Sequence, residues 1–157
     1  MEADIAQLDA QHMGNTTSSN FTNLFSQIPS VQKLTMQNNL VKFLGQPSRS
    51  KGPEYKSLEH LSSLSLYTDL NNPQLLSTTL RILGMSRNLT SLEITTRLAF
   101  EQDTSLWENI EVIVFEKLEF VEMFGVLGTR AEVEFLKLLL NRSKKLGRIT
   151  IHPSRDV

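Results

Sequence analysis

The chain has no cysteine among its 157 residues, which excludes disulfides and thiolate metal sites outright. It carries no excess of charge of either sign: 16 Lys and Arg against 17 Asp and Glu give a formal net charge of -1. That leaves no electrostatic footprint for nucleic acid or an anionic membrane. No apolar run approaches the roughly 18 residues that a bilayer-crossing helix requires. The first 20 residues, MEADIAQLDAQHMGNTTSSN, show no basic-then-apolar signal pattern. These absences predict a cytoplasmic or nuclear protein, in which the sequons at Asn15-Thr16-Thr17 and Asn88-Leu89-Thr90 go unused.

Catalytic patterns are missing too. The three histidines, His12, His60 and His152, have no metal-ligand spacing with one another, and His60 reads as part of a surface turn. Gly125 and Gly128 precede a helical stretch, but no Lys-Ser/Thr follows to make a phosphate cradle. They read as backbone turn residues between a strand and a capped helix. No G-x-S-x-G elbow sharpens a serine into a nucleophile. Glu132 and Glu134 fit the positive end of a helix, and Lys144, Lys145 and Arg148 fit a solvated helix end. We therefore expect no catalytic, cofactor-binding or metal-binding residue, no cofactor, and no enzyme.

What the chain does have is a periodic apolar triplet. It occurs as Val31/Leu34/Met36, Leu61/Leu64/Leu66, Leu89/Leu92/Ile94, Leu118/Val121/Met123 and Leu146/Ile149/Ile151. The middle members step by 30, 28, 29 and 28 residues, the upper end of leucine-rich-repeat periods. A strand-plus-helix unit of this size cannot bury its own apolar side, so units stack and share one core. The predicted fold is α/β: a leucine-rich-repeat solenoid forming a partial horseshoe. About five short strands make its parallel sheet, with helices on the convex side.

Punctuation between the triplets supports this layout. Residues 1–20 are polar and read as a flexible leader. Phe21, Leu24, Phe25 and Ile28 share a helical face that Pro29 closes, and residues 45–57 form a loop rich in Gly, Pro and Ser. A second helix has Asn72 as N-cap, Pro73 at its first position, Gly84 as C-cap, and Leu76, Leu80 and Leu83 on one face. A third begins at a Thr129/Glu132 capping box. Its Val133, Phe135, Leu136, Leu138, Leu139 and Leu140 cover more than one stripe, so it should touch both the sheet and a neighbouring helix. Within residues 98–117, Trp107 and the run Ile110–Phe115 read as an extended piece, since β-branched residues dominate.

In each triplet the second and third members should point inward, because strand side chains alternate faces. The intervening residues then pave the open surface: Lys33, Thr35, Gln37; Ser63, Ser65, Tyr67; Ser91, Glu93, Thr95; Phe120, Glu122, Phe124; Arg148, Thr150, His152. Phe120 and Phe124 put two aromatics where solvent is expected, which marks a binding hot spot unless another segment covers them. Tyr67, Glu93, Phe120, Glu122, Phe124 and Arg148 are the candidate binding residues.

The stretch from Asn23 to Leu34, with Leu58 to Leu66 and Asn88 to Ile94, resembles the repeats of plant F-box/leucine-rich-repeat proteins. Leu118 to Gly125, Glu132 to Lys137 and Leu146 to Ile151 resemble that family's FBD-type C-terminal module, placed at about 118–152 of a domain spanning 21–157. The resemblance runs from about residue 21 to 152. It implies a relative of the substrate receptors of SCF-type ubiquitin ligases, in which an F-box grips a Skp-type adaptor and the repeats hold a target. No counterpart of the F-box is found here. The repeat's Asn-ladder position is kept at Asn39 but carries Asp69, Arg97 and Val126 elsewhere. The expectation is a non-catalytic protein-protein interaction module that binds a protein target without recruiting the adaptor. The alternative is a non-autonomous gene fragment, or a competitor that binds targets without recruiting the ligase.

Overall fold

Parallel neighbours in a sheet need long crossovers, so a regular interval between strands is the footprint of one repeated strand-and-return unit. The computed structural model describes residues 5–8, 31–37, 58–96 and 113–155. Its strands are β1 (Ile5–Leu8), β2 (Lys33–Met36), β3 (Ser63–Thr68), β4 (Ser91–Thr96), β5 (Phe120–Val126) and β6 (Arg148–Pro153). They form one sheet in the order β1-β2-β3-β4-β5-β6, and every neighbouring pair is parallel. Helix α1 (Pro73–Met85) joins β3 to β4, and α2 (Arg130–Arg142) joins β5 to β6. No described helix is long and apolar enough to cross a membrane.

Register converts the triplets into a core. Leu34, Leu64, Leu92, Val121 and Ile149 are successive Cα partners, as are Met36, Leu66, Ile94, Met123 and Ile151. All of them from β2 to β5 are buried, in one cluster with the inner residues of both helices. The strand entries repeat as faithfully as the side chains. The carbonyl before each strand accepts two amides of the next unit: Gln32 O from Ser62 and Ser63, Ser62 O from Thr90 and Ser91. Thr90 O takes Glu119 and Phe120, and Glu119 O takes Gly147 and Arg148, all eight at 2.8–3.1 Å. Where the entry residue has a hydroxyl it adds a bond to the same oxygen, Ser62 to Gln32 at 3.1 Å and Thr90 to Ser62 at 3.0 Å.

Several expectations need correction. Beside the five expected strands, β2 to β6, the described residues include a sixth, β1, which falls inside the polar stretch read as a flexible leader. Its register, Ala6 on Leu34 and Leu8 on Met36, continues the triplet with an alanine at the middle position, which weakens the apolar signal. Helix α1 does not end at Gly84: it runs to Met85 and is capped by Ser86, whose N–H bonds Leu83 O at 3.1 Å and whose hydroxyl bonds Ile82 O at 2.8 Å. The inward pair of β6 is incompletely covered, with Ile149 half-buried and Ile151 44% exposed, because β6 is the last strand of the sheet. Likewise α2 buries only Ala131, Glu132, Phe135 and Leu139, while Val133 and Leu140 are 42% and 60% exposed. The end of the 98–117 segment makes a single bridge from Phe115 to Ser143, just past α2, rather than a strand of the sheet. The helix read over residues 21–28, the loop at 45–57, Trp107 and the Asn39 and Arg97 ladder positions lie outside the described residues.

Candidate functional site

The face of the sheet away from the helices is laid out in rows by the strand register. Lys33, Ser63, Ser91, Phe120 and Arg148 stand side by side across β2 to β6. The next row is Thr35, Ser65, Glu93, Glu122 and Thr150, and the third is Tyr67, Thr95, Phe124 and His152. All six candidate residues thus share one surface: Phe120 and Arg148 in the first row, Glu93 and Glu122 in the second, Tyr67 and Phe124 in the third. Neighbouring strands are only about 4.8 Å apart, so adjacent members of a row stand within reach of one another.

Two features give this face its relief. Serines at Ser63, Ser65 and Ser91 are small, whereas Phe120 rises beside them and is 47% exposed. Between them lies an open depression of about 310 Å³ that Glu93, Glu122, Arg148 and Thr150 also line. Farther along β5, Phe124 is half-buried because the His152 ring stacks on it, with centroids 4.3 Å apart and planes 3° from parallel. His152 Nε2 lies 2.7 Å from Glu122 Oε1, an ion pair when the imidazole is protonated. The two aromatics read together from sequence are therefore different objects: Phe120 is open, and Phe124 is roofed by a histidine.

The end of β5 is shaped by a polar knot. The register slips between Phe124 and Val126, and Gly125 there has φ of 72°. A Cβ on Gly125 would stand 2.9 Å from Thr96 O, so the bulge needs glycine both for conformation and for space. Gly128 has φ of 82°, which completes the turn into α2 as the sequence implied. Glu132 is wholly buried under this turn. Its Oε2 accepts the amides of Leu127, Gly128 and Thr129 at 3.1, 2.7 and 2.9 Å, while its own N–H reaches Thr129 Oγ1 at 3.3 Å. The capping box is present, but it is one part of a larger anchor. Thr96 Oγ1 lies 2.9 Å from Gly125 O and 3.3 Å from both Phe124 O and Glu132 Oε1. A hydroxyl has one proton to share among these acceptors, and all three tie β4 to the turn. This knot fixes the β5–α2 corner and with it the placement of Phe124.

Sequence reasoning put His152 on the open face but left it out of the candidate binding residues. Register makes it the Cα partner of Phe124, and its ring reaches diagonally to Glu122. His60 is exposed in a turn, as read. Among the described residues no three of His, Asp and Glu gather as they would to hold a metal. Comparison with protein-family models, with curated proteins and with solved structures gives no match in any of the three. Function has to be read from the residues of this face.

Proposed function

We propose that this chain is a non-catalytic protein-interaction module, a leucine-rich-repeat solenoid whose open sheet face holds a protein target. It resembles the substrate-recognition part of an SCF-type F-box receptor and acts in the cytoplasm or nucleus without binding a Skp-type adaptor. The observation that carries the reading is Phe120: a large aromatic 47% exposed on the open sheet face, beside a polar-lined depression floored in part by serines. Exposed aromatics flanked by polar groups are what interface hot spots are made of. The experiment is affinity capture with mass spectrometry on the native chain and on Phe120→Ala. A protein retained by the first and lost from the second supports the reading. Identical capture by both, or direct binding of a Skp-type adaptor, overturns it.

A second reading, a non-autonomous piece or competitor, is favoured by the apolar side chains left open around β6, namely Ile151, Val133 and Leu140. It predicts concentration-dependent self-association in light scattering. A monodisperse monomer that melts cooperatively counts against it.

A further inference from the structure

Resting on the reading of the open face as a binding surface, we infer that its occupant is a protein segment presenting an arginine, with the guanidinium against Phe120 and between Glu93 and Glu122. Glu93 and Glu122 are direct register partners on adjacent parallel strands, an arrangement in which like charges repel. Glu122 has a hydrogen-bond partner in His152 at 2.7 Å. Glu93 makes no hydrogen bond or ion pair with a described residue. A cation placed between the two carboxylates relieves the repulsion and supplies Glu93 with a partner that no described residue gives it.

The neighbouring chemistry selects which cation. Phe120 precedes Glu122 by two residues, so its ring stands on the same face one row away, and it is half open to solvent. A guanidinium is planar, stacks on an aromatic face and bonds carboxylates in a two-pronged fork, whereas an ammonium is a compact, strongly hydrated point charge. A carboxylate pair beside an exposed ring therefore fits arginine better than lysine. The depression of about 310 Å³ stands at the small end of ligand sites, roughly 300–1,000 Å³. Its lining of serine and threonine hydroxyls suits one or two polar side chains and their backbone rather than an apolar small molecule. Arg148, which also lines the depression, offers a donor to an acceptor of the incoming segment, a carbonyl or carboxylate. The same two glutamates repel phosphate, which disfavours nucleic acid.

Random decapeptides displayed on phage would be selected against the full chain at low salt. Selected peptides would then be measured by fluorescence polarisation, each beside a copy with arginine replaced by citrulline or lysine. The expected result is enrichment of arginine and about a tenfold loss on citrulline substitution. A smaller loss is expected with lysine, along with weakening as salt rises. Glu93→Gln should also lose about tenfold; it removes charge from a side chain that bonds no described residue, and the citrulline arm needs no variant at all. Arginine-free binders that still depend on Phe120 would overturn the arginine inference and leave the binding face standing. Peptides indifferent to Phe120→Ala, or no binders, would overturn both.

Discussion

Helices α1 and α2 each have thirteen residues, yet α1 buries eight of them and α2 four. The difference is one of position rather than apolar content. Helix α1 joins β3 to β4, so its unit has described neighbours on both sides, and Leu75, Leu76, Leu80, Ile82, Leu83 and Met85 all find cover. Helix α2 leads into the last strand of the sheet, and its Val133 and Leu140 are left exposed. Their anchors differ in kind as well. Asn72 caps α1 with bonds of 3.0 and 3.2 Å to the amides of Gln74 and Leu75, and Thr68 meets Thr79 at 3.0 Å under the helix. The Thr79 hydroxyl donates to Leu75 O at 2.7 Å, so Thr68 is the donor to Thr79. Helix α2 has a buried carboxylate gathering three amides instead. Helix α1, between two inner strands of the sheet, is held by apolar cover, and α2, before the last strand, leans on polar fixtures at its corner.

Core truncation should show the contrast most strongly. Leu76→Ala removes a fully buried side chain and is expected to cost about 2–5 kcal/mol in a denaturant titration. Leu136→Ala, at a half-buried site of α2, should cost well under half as much. Equal losses would erase the distinction between interior and outer units.

The polar fixture comes next. Glu132→Ala strands three amides under the turn, and about 3 kcal/mol of lost stability is expected. Glu132→Gln should fall between, since its carbonyl oxygen can still accept the amides while its nitrogen turns to Thr96. A loss for Glu132→Ala no larger than an ordinary surface cap would mean that the knot contributes little. Gly125→Ala should cost about 2 kcal/mol from its positive φ alone, with the 2.9 Å approach to Thr96 O adding to that. Because Phe124 immediately precedes the bulge, this variant should also shift the His152 ring resonances in proton NMR, which a distant destabilising change would leave alone. The cap of α1 is the smaller counterpart: Asn72→Ala should cost about 1 kcal/mol. A larger loss there than at Glu132 would reverse the order of the two anchors.

Legibility in the sequence followed the same division. The strands β2 to β6 and their register were readable because every triplet position is filled by a large apolar residue. At β1 the middle position is Ala6, whose single methyl carries little signal. The start of α1 was readable from Asn72-Pro73, a local pattern; its end was not, because Gly84 looks like a cap while Ser86 provides one. The Thr129/Glu132 box was local and readable, but the burial of Glu132 depends on a bulge and on Thr96, 36 residues away in sequence. The His152–Glu122 contact spans 30 residues. Such pairs exist only once register is fixed, so no inspection of neighbours in sequence brings them together. Alternation grouped the six candidate residues on one face, where register also aligns them, yet it gave no sign that Phe124 would be roofed and Phe120 left open.

The smallest effect is expected at Leu140, and it tests the comparison from the other side. A leucine 60% exposed has little apolar area to lose, so Leu140→Gln should change stability by no more than about 0.5 kcal/mol. Its helix propensity is close to that of leucine, which removes the backbone as a confounding cause. If the loss instead reaches that of Leu136→Ala, then the outer side of α2 is covered in solution by something that also binds there. The asymmetry between the helices would then belong to the isolated unit rather than to the working protein. Repeating the measurement across a range of protein concentrations separates the two cases, because cover supplied by a second copy makes the Leu140→Gln effect grow with concentration. A concentration-independent, near-zero effect leaves the outer side of α2 uncovered.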